Sequence, residues 1–94
     1  MEIKFKKYGK CVGEGDFFER TIKLGDKNFY ILIAQDEIHD DDSNVIGSYY
    51  MIDLDHIQIR DRSIKTKKQA LDRVKKEIIS SCRAIINNVR ELTL

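Results

Sequence analysis

At 94 residues, 41% hydrophobic and 35% charged, with a net charge of +1, the chain has room for one domain, residues 1–94, and none for separate catalytic and substrate-binding lobes. Its apolar content excludes a disordered chain. No run approaches the roughly 20 apolar residues of a membrane span, and the start, Met1-Glu2-Ile3-Lys4-Phe5-Lys6-Lys7, lacks the apolar core of a signal peptide, so a soluble, cytoplasmic protein without a membrane partner is expected. The absence of Pro and Trp in a chain rich in Ile and Lys fits a gene from an AT-rich bacterium or its phage.

Ile3 and Phe5 alternate with Lys4 and Lys6, the period-two pattern of an edge strand with one buried face. Gly9, Gly13 and Gly15 then punctuate a connection around Cys11 and Val12, and a second strand is expected from about Phe17 to Leu24. Gly25-Asp26-Lys27 supplies a turn. The third strand, Asn28 to Gln35, is apolar on both sides, with Phe29, Ile31 and Ile33 opposing Tyr30, Leu32 and Ala34, which suits the middle of a sheet. Asp36 to Gly47 reads as a protruding polar loop. A fourth strand is expected from about Ser48 to Ile59. Tyr50, Ile52 and Leu54 alternate in it, Ile57 and Ile59 take the opposite parity, and a β-bulge near Asp55-His56 would reconcile the halves.

From Thr66 the period becomes helical. Thr66-Lys67-Lys68-Gln69 fits a capping box, in which the threonine hydroxyl and the glutamine side chain each satisfy a backbone N–H of the first turn. At 100° per residue Leu71, Val74, Ile78, Cys82, Ile85, Val89 and Leu92 fall in one stripe, widened by Ile79 and Ile86. One helix from Thr66 to about Leu92 is expected, roughly 40 Å long at 1.5 Å per residue; the alternative ends it at Asn87 and makes Val89 to Leu94 a final strand. The predicted fold is α+β, an antiparallel sheet of about four strands in the order β-β-β-β-α, with the long C-terminal amphipathic helix on one face.

One helix covers one sheet face, so the other face needs a partner or local cover. Tyr30, Leu32, Tyr49 and Met51 on that side form the candidate partner surface. The strand-then-helix junction, Tyr49-Tyr50-Met51-Ile52-Asp53-Leu54 followed by Thr66-Lys67-Lys68-Gln69-Ala70-Leu71, resembles that of HicB-type antitoxins and AP2-like DNA-binding domains. The shared element is mostly the capping box, which occurs wherever a helix packs back on a sheet, and it implies no function.

Charge is distributed unevenly. Residues 1 to 59 sum to −5 and residues 60 to 94 to +6. From Asp36 to Asp55 there are seven acids and no Lys or Arg, and Asp40, Asp41 and Asp42 are the candidate acidic docking residues for a basic protein surface. Between Arg60 and Lys76 eight bases face two acids. Arg60, Arg62, Lys65, Lys67, Lys68 and Arg73 are the candidate contacts if the protein binds nucleic acid, with strand tyrosines as stacking platforms. Against this, cations at a helix N-terminus oppose its dipole.

The chemistry of metal sites and nucleophiles is thin. Asp53, Asp55 and His56 could bind a divalent cation, but Asp40, Asp42 and Asn44 do not complete an EF-hand loop, because Val45 stands where its glycine belongs and Met51 where its glutamate belongs. Cys82 sits on the helical stripe, and Cys11 has no identifiable base beside it; both are expected reduced. No cofactor, small-molecule ligand or catalytic motif is indicated. The sequence favours a small non-enzymatic protein that binds another protein or itself, of accessory, regulatory or inhibitor type and acting as a homodimer; the alternatives are nucleic-acid binding through Arg60 to Lys76 and a metal-dependent enzyme built on Asp53, Asp55 and His56.

Overall fold

The computed structural model describes residues 3–7 and 15–93. It contains a five-stranded antiparallel sheet followed by one helix: β1 (Lys6–Lys7), β2 (Asp16–Leu24), β3 (Lys27–His39), β4 (Val45–Leu54), β5 (Ile57–Ile59) and α1 (Lys67–Arg90). The strands lie in chain order, an open meander with β3 at its centre. The α+β architecture is therefore as the patterning predicts, with one strand more.

The differences from the expected strands have local causes. Pairing at the first edge involves Lys6 and Lys7, which face Phe17 and Asp16, and Phe5 just outside the strand packs on the core. The connection through Gly9, Cys11, Val12 and Gly13 lies outside the described residues. Between β2 and β3 the chain reverses in two residues, and Gly25 takes the left-handed conformation (φ 64°) that such a turn asks of its glycine.

The expected bulge at Asp55-His56 is instead a full reversal. Ile52 faces Ile59 and Leu54 faces Ile57 across β4 and β5. The change of parity is what a two-residue hairpin produces, because it returns residues of opposite parity to the same face. Neither Asp55 nor His56 has a positive φ, so the turn needs no Gly or Asn, and the sequence lacks the usual hairpin signal. The polar loop is also shorter than expected. β3 and β4 continue as a two-stranded ribbon with a register shift at Ile38/His39, and only residues 40–44 are left to turn the chain.

The register places Phe18, Ile33, Ile52 and Ile59 in one cross-strand row. Ile33 and Ile52 are wholly buried at its centre, with Ile31, Tyr50 and Leu54 beside them. This is the face that α1 covers, through Ala70, Val74 and the partly buried Ile78. The connection before the helix closes the same core: Ile64 is buried, and the Tyr50 N–H donates to its carbonyl at 2.8 Å.

The helix begins as predicted. Thr66 Oγ1 accepts from the Gln69 N–H at 3.1 Å, and Gln69 Oε1 accepts from the N–H groups of Thr66 (3.1 Å) and Lys65 (2.8 Å). The helix runs unbroken to Arg90, with the Glu91 N–H still bonded to the Asn87 carbonyl, so the alternative of a break at Asn87 and a final strand is not realised. At about 36 Å for 24 residues it outruns the sheet. The molecule measures 61 × 26 × 21 Å with a radius of gyration of 16.5 Å, against about 13 Å for a compact chain of this size.

Candidate interaction surfaces

The sheet supports the apolar stripe of α1 only as far as Ile78. Beyond it Cys82 is exposed, and Ile85, Val89 and Leu92 are 63%, 59% and 76% exposed, with Ile79 and Ile86 about half exposed on the flank. The expected seam continues, but nothing among the described residues lies against it. Where helix and sheet diverge, Ile22 and Phe29 from the sheet and Ile78, Ser81, Cys82 and Ile85 from the helix, with His56, line an almost wholly apolar cleft of about 340 Å³.

His56 and Ser81 meet at the mouth of this cleft, with Ser81 Oγ 3.2 Å from His56 Nε2 and the imidazole 6.0 Å from the Phe29 ring. A hydroxyl beside an imidazole has two members of a nucleophilic triad. The rest is missing. The neighbouring carboxylate, Asp55, accepts from the Tyr30 N–H at 3.0 Å. Ser81 lies in the middle of a helix whose N–H groups already bond within it, so no oxyanion donors face the hydroxyl. The pair ties the β4–β5 turn to the helix.

On the opposite sheet face the register aligns Phe17 with Ala34 and Met51, Glu19 with Leu32 and Asp53, Thr21 with Tyr30, and Asp36 with Tyr49. This side is less open than the alternation of residues suggests. Tyr49 and Ala34 are buried, and Tyr30, Leu32 and Met51 are half-buried. Both tyrosines are tied to carboxylates: Tyr30 Oη donates to Glu19 at 2.8 Å and Tyr49 Oη to Asp36 at 3.2 Å. Burial first, and then the Asp36 charge, push the Tyr49 hydroxyl's pKa up. Tyr30, Leu32, Tyr49 and Met51 do lie on one face, as the alternation predicts, but among acids.

No family model, curated protein or solved structure matches the chain. Its surfaces must therefore be read from their own geometry.

The acidic tip is a built turn. Asp40 Oδ1 accepts from the N–H groups of Asp42 and Asn44, both at 2.9 Å, and Ser43 adopts a φ of 64° to close the loop. The bond from the Asn44 N–H is the main reason the Asp40 carboxyl titrates below its ordinary range. Asp41 and Asp42 point their charge into solvent, and at the base of the tip Val45 and Ile46 are 58% and 64% exposed. That aliphatic pair, inside a stretch the sequence presents as polar loop, is a feature that composition alone conceals.

The basic segment is divided by ion pairing. Arg60 bridges to Asp53 at 2.8 Å and donates to the carbonyls of Ile52 and Ile59. Lys67 pairs with Asp16 at 3.0 Å and lies 5.0 Å over the Phe5 ring, and Arg73 joins Glu77 at 3.0 Å and Asp61 at 3.4 Å. Lys65 reaches the Ser48 carbonyl. Of the six candidate phosphate contacts, Arg62 and Lys68 are the two that form neither an ion pair nor a hydrogen bond among the described residues. The helical bases lie across the sheet from Tyr30 and Tyr49; on the tyrosine face itself Arg60 is paired with Asp53, and Arg62 is near enough to Tyr49 to act on its charge.

The three candidate metal ligands diverge. Asp53 lies on the far face with Arg60, Asp55 is held in the turn, and His56 lies on the helix side. No group of three or more metal-binding side chains forms among the described residues, and none of their helices is long and apolar enough to cross a membrane.

Proposed function

We propose that this chain is a small non-enzymatic protein-binding protein, of accessory, regulatory or inhibitor type, that works as a homodimer. The observation that carries this reading is the apolar stripe of α1, which continues past the sheet with Ile79, Ile85, Ile86, Val89 and Leu92 open to solvent beside an apolar cleft. A patch of this extent is costly for a monomer in water and is the usual mark of a protein interface. Association through it leaves the acidic ribbon of β3 and β4 free, with Asp41, Asp42, Val45 and Ile46 presented together for a basic surface on another protein.

Light scattering on the purified protein at micromolar concentration tests the first half: a mass of two chains supports it, and one chain at every concentration overturns it. For the second half, the dimer should retain a host protein on a column in a salt-sensitive way, and the combined Asp41→Asn, Asp42→Asn variant should lose it. Equal retention by both would remove the acidic tip from the account.

A further inference from the structure

The cleft and the overhanging helix end fit one another, in a geometry that the homodimer reading alone does not specify. We infer that two copies pair their overhangs antiparallel about a two-fold axis beside Ile85 and Ile86, so that the Leu92 end of each helix enters the other copy's cleft. The inference rests on the homodimer reading and fixes its register.

The uncovered stripe faces the same side as the sheet, so a partnering helix must lie where the sheet would continue. Packed helices stand about 8–10 Å apart. In a parallel pair both sheets would have to occupy that gap over the first half of the helices, and there is no space for them. An antiparallel pair carries the sheets to opposite ends.

With Ile85 opposite Ile86, Cys82 meets Val89 and Ile79 meets Leu92, so each open apolar position faces another. The spacing from Ile78 through Cys82, Ile85 and Val89 to Leu92 alternates four and three residues, as in a coiled-coil seam. Leu92 of the second copy then arrives beside Ile22 and Phe29, the sheet wall of the cleft. One patch serves both copies, as a two-fold interface requires. The open side chains and the cleft walls amount to several hundred Å² per copy, approaching the roughly 800 Å² each partner gives to a standard interface.

Arg83, Arg90 and Glu91 are the charged residues of the overhanging turns. A parallel register sets each of them level with its own copy, like charge against like, whereas the antiparallel one sets Arg83 level with Asn88, Arg90 with Ser81 and Glu91 with Ser80.

The native thiol supplies the test. In a Cys11→Ser background the Cys82 residues of an antiparallel dimer are offset by about 10 Å along the axis, beyond the roughly 7 Å Cα separation that a disulfide spans. Mild oxidation should leave this protein uncrosslinked. Adding Val89→Cys should give rapid crosslinking, and mass spectrometry should find the bond between Cys82 and the introduced thiol at position 89. A dimer that joins Cys82 to Cys82, or that forms no bond between positions 82 and 89, overturns the register while leaving the homodimer standing. A monomer by light scattering overturns both.

Discussion

Asp16 shows what one side chain contributes to this fold. It is buried at the start of β2 and takes ion pairs from Lys7 and Lys67, which tie both the first edge and the helix start to the sheet. The hydrogen bond from Lys7, and then that from Lys67, hold its carboxyl below the ordinary aspartate range. Because the folded pKa is the lower one, the stabilisation is whole above the unfolded value of about 3.9 and is lost as pH falls through the folded value. Asp16→Asn should cost about 1–2 kcal/mol at neutral pH, since water around the two lysines screens the pairs, and should flatten the acid limb of stability. Urea unfolding at pH 7 and pH 3 measures both; an unchanged pH dependence would show that Asp16 is not the group responsible. Nothing in the sequence around Asp16 announces this role, because its partners come from distant segments. The Thr66–Gln69 cap, by contrast, is legible because both members are local. Thr66→Ala should lower stability by about 1 kcal/mol, measurable in the same unfolding series.

Among the elements, legibility followed the range of the forces involved. The helix and the central strand could be read from period alone, since burial of one stripe and of both strand faces writes itself into residue order. The β4–β5 hairpin could not, because its turn uses neither glycine nor a positive φ. The lengths of β3 and β4 were hidden too, since a solvated ribbon that runs on past the end of the sheet tolerates the same Asp and Ser residues as a loop. Where the helix leaves the sheet is a tertiary fact: the stripe looks the same on either side of Ile78, but Val74 is buried and Val89 is not. The two halves should therefore respond differently to substitution. Ile52→Ala, at a wholly buried position, should cost about 2–5 kcal/mol. Truncation after Asn87 removes Val89 and Leu92, and should leave the sheet's cooperative unfolding in place while abolishing self-association. Circular dichroism melts beside light scattering check the pair of outcomes, and a truncated chain that stays dimeric would place the contact elsewhere.

The whole molecule is polarised in two ways. It is elongated, with a long apolar overhang, and its charge runs from acidic strands to a basic helix start. The second feature suggests nucleic-acid binding in the sequence, and the geometry argues against it. Arg60, Lys67 and Arg73 are engaged with Asp53, Asp16, Asp61 and Glu77, and Tyr30 and Tyr49 sit beside Glu19 and Asp36. Fluorescence anisotropy with labelled single- and double-stranded oligonucleotides at low salt should show no tight, salt-sensitive binding; a log–log salt slope reporting several phosphate contacts would restore that reading. The candidate partner surface was thus half legible. Its residues share a face as alternation requires, but the stronger apolar surface lies on the helix end, where only the limit of the sheet could reveal it.

That surface is also where the account is most exposed to test. Sedimentation equilibrium on the intact chain, alone and with the combined Ile85→Glu and Val89→Glu substitutions, measures its contribution directly. The account predicts a dimer for the parent chain and a monomer of unchanged helix content for the variant, since neither side chain supports the folded unit. A parent chain that is monomeric at every concentration, or a variant that dimerises equally well, would contradict it.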